Sequence, residues 1–245
     1  MTDGDRAPEL WVCRLGTVDY LHALELQERI RAARQQQLIP DTMLLLEHPR
    51  VYTRGRRSAP GELSLGADFY RAQGIEIVDV NRGGKITYHG PGQLIGYPIV
   101  AVDDVVEYVR TIERALVRAL HEEGVADARA RPEDGPDFTG VWVQDRKIAS
   151  IGVHVQRGVT THGWAVNVDN DLTPFSWVVA CGLDSVQMTS LAQELGSADS
   201  GPAGGPLLPC FSKRAAFAIA QALHRRQRLV SRARLQAAIA PLAAV

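Results

Sequence analysis

With 245 residues, 45% of them hydrophobic, the chain carries enough apolar content to bury the core of one large domain. A formal net charge of −1 supplies no global field for nucleic acid or an anionic membrane, and no apolar run reaches the length of a membrane span. The polar N-terminus lacks the apolar stretch of a signal peptide, and Cys13, Cys181 and Cys210 are too widely spaced for a disulfide framework or a zinc site, so a cytoplasmic protein is expected.

In chain order, Leu10 to Leu15 reads as a strand, and Thr17 opens a helix to about Leu38 with Ala23, Leu26, Ile30 and Ala33 on one face. Thr42 to Glu47 is a buried strand, followed by a basic loop, Arg54-Gly55-Arg56-Arg57, read as solvated. Ile75 to Val80 and Gln93 to Val102 are strands flanking a glycine-rich segment. Asp103 or Asp104 caps a long helix in which Val105, Val109, Ile112, Leu116 and Leu120 recur at helical spacing. From Thr139 to Val168 the pattern is a strand meander, turning at residues 144–146 and again at Arg157-Gly158. Residues 196–209, rich in Gly, Ser and Pro, read as a mobile loop, and Phe211 to Ile239 as helical. Without a repeat or a clear boundary, this predicts one α/β domain over 1–245. Its core covers about 10–195, its sheet is mixed and mainly antiparallel between flanking helices, and residues 210–245 form a helical tail.

The most distinctive stretch runs from Arg82 to Leu94. Four glycines and a proline in thirteen positions exclude a helix or an ordinary strand interior. Thr87, Tyr88 and His89 stand between the glycines, so the segment brings backbone close to a ligand and presents hydrogen-bonding side chains to it. Neither of the standard phosphate-cradling glycine motifs occurs, and no His, Cys or Asp pattern suits a metal. His89 and His162, beside glycines, are the histidines best placed for ligand contact.

Only three of the 27 basic residues are lysines: Lys85, Lys147 and Lys213. An amine can give up its proton where a guanidinium effectively cannot, so a lysine kept in an arginine-rich chain is a candidate for chemistry. Cys181 follows an apolar run and precedes Gly182. A free cysteine is often only a small buried hydrophobe. Here Gly182 would let a carbonyl approach backbone N–H groups, and the Lys147 ammonium could draw a thiol pKa down from about 8.5 and raise the reactive thiolate fraction. Lys147 shares its strand parity with Ala149, Ile151 and Val153, which points it toward the core, while its place at a strand end leaves a solvent-facing position equally open.

Taken together, these segments resemble the octanoyltransferases of lipoate biosynthesis, also called lipoyl(octanoyl) transferases. The matching motifs are His48-Pro49 with Val51-Tyr52-Thr53, then Arg82-Gly83-Gly84 through Leu94. They continue with Gly140 to Val143 leading into Lys147 to Gly152, then His162-Gly163-Trp164-Ala165-Val166-Asn167-Val168, and Cys181-Gly182-Leu183. The resemblance spans roughly Leu10 to Leu195. It implies the α+β catalytic-domain fold of lipoate and biotin protein ligases and an acyltransferase that uses no cofactor, metal or ATP. Cys181 would be the nucleophile that carries the acyl group as a thioester. Lys147 would lower the cysteine pKa and shuttle protons. The implied substrate wall comprises Arg82, Gly83, Gly84, Lys85, Ile86, Thr87, Tyr88 and His89, with Ser150, Ile151, Gly152, Gly163, Trp164 and Ala165.

The implied donor is octanoyl-acyl carrier protein. The implied acceptors are lysines of lipoyl domains in 2-oxoacid dehydrogenase complexes and of the glycine cleavage H protein, with no nucleic acid or membrane partner. Two departures stand out: Ala180 where proline is expected, and Trp164 where leucine is commoner, which would shorten or reshape an acyl tunnel. An ATP-dependent lipoate ligase on the same fold and a non-catalytic acyl-binding protein are the alternatives.

Overall fold

The structure, a computed structural model, describes residues 7–178, 186–196 and 206–240. Its elements in order begin with β1 (Glu9–Thr17), α1 (Tyr20–Gln35), β2 (Asp41–Glu47), β3 (Val51–Arg54), α2 (Ala67–Ala72), β4 (Glu76–Asp79), β5 (Ile86–His89), β6 (Gln93–Ile99) and α3 (Val105–Glu122). There follow β7 (Ala128–Arg129), β8 (Gly140–Val143), β9 (Arg146–Gln156), β10 (Val159–Asn167), β11 (Gln187–Met188), α4 (Leu191–Leu195), α5 (Leu207–Ala222), β12 (Arg226–Leu229) and α6 (Arg232–Ile239). No helix among the described residues is long and apolar enough to cross a membrane.

Among the described residues the main sheet runs β12-β1-β2-β6-β10-β9-β8-β7, with β11 added beside β9, and a smaller sheet runs β4-β3-β5. Pairing is antiparallel from β2 through β8, while β1 lies parallel to both β2 and β12. Strands buried on both faces follow from helices on either side. Leu10, Met43, Leu94 and Val166 pack with α3 and α5 on one face. Cys13, Leu44, Ile95 and Ala165 pack with α1 and α6 on the other.

Three expectations are corrected here. The chain beyond Phe211 is not helical throughout: α5 begins earlier, at Leu207, and after it β12 extends the main sheet before α6. The glycine-rich segment contains a strand. Ile86 to His89 is a glycine-free run of β-compatible residues, and it pairs with β3, itself absent from the strand reading. The glycines flank that strand rather than interrupt it. Finally, the long first helix is capped by Asp19, whose carboxylate accepts from the N–H groups of Leu21 and His22, so it starts at Tyr20 rather than Thr17. Its buried face includes Gln27 in addition to Ala23, Ile30 and Ala33, because the Gln27 amide oxygen accepts from the His162 N–H at 2.7 Å.

Asp104 is the cap of α3. The helix buries Ile112, Leu116 and Leu120 as the spacing requires, but its first turn leaves Val105 and Val106 40% and 67% exposed. That turn overhangs an open space in the molecule, and there the site is found.

Candidate functional site

A cavity of about 480 Å³ lies where the glycine-rich segment, the middle of β9 and β10, the first turn of α3 and the residues from Pro132 to Thr139 converge. Its size is that of a small-molecule pocket. Arg82, Gly83, Gly84, Lys85, Ile86, Thr87 and His89 form one wall; Ser150, Ile151, Gly152, Gly163, Trp164 and Ala165 form the facing one, and Lys147 lines it as well. The two walls touch across backbone. The Gly83 N–H donates to the Val153 carbonyl at 2.9 Å, and a Cβ on Gly152 would stand only 2.9 Å from the Gly83 carbonyl oxygen. A side chain at 152 would pry the walls apart.

Tyr88 is the one residue of the expected wall that does not line the cavity. Strand alternation turns it to the other face of β5, where it packs against Tyr52 and Phe175 at ring-centroid distances of 5.6 and 5.5 Å. Arg82 is buried and bonds the side-chain oxygen and the carbonyl of Thr53 at 2.7 Å each, so it ties the wall to β3.

Lys147 is 2% exposed, which decides between the two positions its sequence left open. A register shift between Val141 and Trp142 sets the ladder so that Trp142 faces Lys147, whose ammonium lies 5.1 Å from the centroid of that indole. Gly140, at φ 136°, makes room for it: a Cβ there would sit 2.9 Å from Lys147 Cε and run into the Ala149 carbonyl. The Gly140 N–H is held by the buried carboxylate of Glu113 at 2.9 Å, and Glu113 is paired with Arg110 at 2.6 Å. Gln187 and Met188 lie against Arg146 and Lys147 on β9, and the Thr189 N–H donates to the Lys147 carbonyl at 3.0 Å. Cys181, with Ala180 and Gly182, lies outside the described residues.

Behind the cavity, where His89, Tyr97 and His162 line it, lies a buried polar cluster that the sequence reading missed. His48 Nδ1 meets the Val18 carbonyl at 2.7 Å; a carbonyl only accepts, so this nitrogen bears the proton and Nε2 accepts from the Tyr97 hydroxyl at 2.8 Å. His162 Nε2 meets Asn81 Oδ1 at 2.7 Å. Burial pushes the pKa of His48 down to about 4 and those of His89 and His162 down to about 3. The neighbouring His48 adds to the effect at His89, and the Arg82 guanidinium adds at His162. All three are neutral at pH 7. Burial likewise raises the phenol of Tyr20 to about 12, and that of Tyr97 well above its ordinary value. The basic loop is also drawn in, because the Arg56 and Arg57 N–H groups donate to the carbonyls of Arg82 and Gly84 and Arg57 lines the cavity, paired with Asp137 at 2.8 Å.

Residues 19–201 match the family model of the lipoyl protein ligase A/B catalytic domain. The chain belongs to this family. Among its curated relatives, an octanoyltransferase of Solibacter usitatus is 47% identical over 183 residues, 73% of this chain and 80% of that protein. One of Mycobacterium avium is 47% identical over 193 residues, covering 75% and 77%. Within the family the chain therefore sides with the octanoyltransferases, as an acyltransferase. The fold matches that of a putative lipoate protein ligase from T. acidophilum, with a TM-score of 0.72 at 18% identity over 96% of this chain and 93% of that one.

Proposed function

We propose that this acyltransferase moves an octanoyl group from octanoyl-acyl carrier protein to a lysine of lipoyl domains, through a thioester on Cys181. The observation that carries this reading is Lys147. It is a buried ammonium on the wall of the cavity, in a chain whose 27 basic residues include only three lysines, and its strand neighbour β11 follows in sequence the segment bearing Cys181.

In the first half-reaction the Cys181 thiolate attacks the donor's thioester carbonyl. The carrier thiol leaves, taking a proton from the Lys147 ammonium, and the octanoyl group remains on sulfur. In the second, the acceptor amine attacks that thioester. Its proton passes to Lys147 as the cysteine sulfur departs, and an amide results. Thioester exchange is nearly balanced and amide formation from a thioester is downhill, so the sequence needs no ATP. The walls of small and aliphatic residues would enclose the chain. The six methylenes that octanoyl has and acetyl lacks, at about 0.8 kcal/mol each, give about 5 kcal/mol with which to select octanoyl over acetyl.

The protein, octanoyl-acyl carrier protein and an apo lipoyl domain incubated without ATP should give an acceptor heavier by one octanoyl group. Intact-mass analysis should also find a hydroxylamine-labile octanoyl adduct on the enzyme, absent from Cys181→Ser. Transfer only on adding ATP and free acid would instead identify a ligase. Tight acid binding with no transfer would identify a carrier.

A further inference from the structure

We infer that Asp137 receives the acceptor's lysine, holding its ammonium at the mouth of the cavity; this rests on the proposed function, in which a lysine is the acceptor. Among the described residues that line the cavity, Asp137 is the one carboxylate, set against the cations Arg57, Arg82, Lys85, Arg110 and Lys147. Arg110 is paired from behind with Glu113, which still leaves a surplus of positive charge. Such a space disfavours an incoming ammonium except at that carboxylate.

Asp137 is also placed to be met first. Its side chain is 37% exposed, while Lys147 is buried, so a lysine carried on a folded partner reaches the carboxylate from solvent before it reaches the interior. The present partner of Asp137 is Arg57, at 2.8 Å and 48% exposed. An ion pair this open to water contributes little, and exchanging a guanidinium for an ammonium keeps the carboxylate paired, so the swap costs little. Arg57 stays tied to the glycine-rich wall throughout, because its N–H donates to the Gly84 carbonyl at 3.1 Å.

The carboxylate is fixed by the turn that carries it and by the indole beside Lys147. Asp137 sits in a short 3₁₀ turn, Pro136–Phe138, entered through Gly135 at a φ of 99°. The Thr139 hydroxyl closes this turn on the Pro136 carbonyl at 2.8 Å, and Trp142 Nε1 donates to the Phe138 carbonyl at 2.8 Å. The same Trp142 ring has the Lys147 ammonium 5.1 Å from its centroid, so one indole stands between the turn and the proposed proton shuttle. Asp137 is three residues from Gly140, where a Cβ would press on Lys147 Cε, a span of at most about 10 Å of chain. Past Asp137 the cations favour the uncharged amine. The ammonium gives one proton to water at the open mouth, and the free amine goes on to attack the thioester.

A double-mutant cycle on binding tests this without relying on transfer. An apo lipoyl domain, and the same domain with its acceptor lysine replaced by methionine, are titrated against the full chain and against Asp137→Asn. Wild type should bind the lysine form about fivefold or more tightly than Asp137→Asn does, while the methionine form should separate the two proteins by less than about twofold. The coupling should shrink as salt is raised from about 20 to about 500 mM, since a half-exposed pair is screened. Asp137→Glu should keep most of it.

Arg57→Ala breaks the same ion pair but leaves the carboxylate, so it should tighten binding of the lysine form; a purely structural ion pair would make it weaken binding as Asp137→Asn does. In transfer, Asp137→Asn should raise KM for the lipoyl domain more than it lowers kcat. Absence of coupling between Asp137 and the acceptor lysine, in a protein that transfers octanoyl, would overturn the assignment alone. Coupling without octanoyl transfer would instead overturn the proposed function and leave Asp137 as the seat of the lysine. A wild-type protein that does not bind the domain would overturn both.

Discussion

Gln93 holds His89 in a single tautomer. The Asn167 amide donates through Nδ2 to the Thr189 carbonyl at 3.0 Å, so its Oδ1 faces Gln93. Gln93 Nε2 must then donate, to Asn167 Oδ1 at 2.8 Å and to the Tyr88 carbonyl at 3.2 Å, which leaves its Oε1 to accept from His89 Nδ1–H at 2.7 Å. The lone pair of His89 is therefore on Nε2, on the residue that lines the cavity. Because Thr189 also donates its N–H to the Lys147 carbonyl, one chain of hydrogen bonds joins the wall containing His89 to the strand containing Lys147.

Gln93→Glu breaks this chain with little change of shape. A carboxylate accepts only, so it would face two acceptors, Asn167 Oδ1 and the Tyr88 carbonyl, without a proton to give. A loss of about 1–3 kcal/mol for each buried group left unsatisfied is expected. The His89 pKa should rise beside the new charge. Chemical denaturation reads the first effect, and imidazole NMR titration the second.

Stability should fall on mild acidification. The folded pKa values of His48, His89 and His162, about 3 to 4, lie below the unfolded value near 6.5. Between those limits the unfolded chain binds more protons, so unfolding free energy rises with pH there. The stability is fully present above about pH 6.5 and is lost as pH falls toward 4, at about 2 kcal/mol per histidine by pH 5. Urea midpoints between pH 4.5 and 7.5 should show this slope, and His162→Asn should lower it by about one proton.

Lys147→Arg should leave a folded protein nearly inactive in transfer, down about 10² to 10⁴-fold, because a guanidinium keeps the charge but does not exchange its proton. Gly140→Ala tests the same site from its floor. Its new Cβ would press on Lys147 Cε and the Ala149 carbonyl at a φ of 136°, so activity should fall although every proposed reacting group remains. Octanoyl transfer rates together with melting temperatures separate misplacement of the lysine from unfolding.

Glu113 supports that floor. Glu113→Ala would orphan the Gly140 N–H and leave Arg110 without its partner, an expected loss of about 3–5 kcal/mol. Glu113→Gln keeps an acceptor for Gly140 and should lose less. Equal losses in denaturation experiments would assign the whole effect to the charge.

The sequence by itself determined the order of most elements, because alternation along Val141 to Val143 and Lys147 to Gln156, and the 3.6-residue spacing of Ile112, Leu116 and Leu120, are local periodicities. It also picked out one wall of the cavity, since glycines beside hydrogen-bonding side chains in Arg82 to His89 are unusual wherever they occur. It did not show that Tyr88 turns away from that wall, because β5 was hidden among the glycines and without a strand there is no alternation to read. Nor did it find β12 in the tail, where Arg226 to Leu229 carries little apolar pattern and is fixed by its partner β1.

What only the tertiary structure decided are relations between residues far apart in sequence. The burial of Lys147 depends on the bulge at Ile148 in β9, the absence of a side chain at Gly140 and the ring of Trp142. The neutrality of three histidines depends on their burial, with Arg82 adding to it at His89 and His162. The place of Trp164 depends on Gly96, 68 positions earlier, lying directly beneath it. Periodicity specifies which face of a strand or helix is covered; it carries no information on what covers it, and the chemistry of this site resides in those pairings.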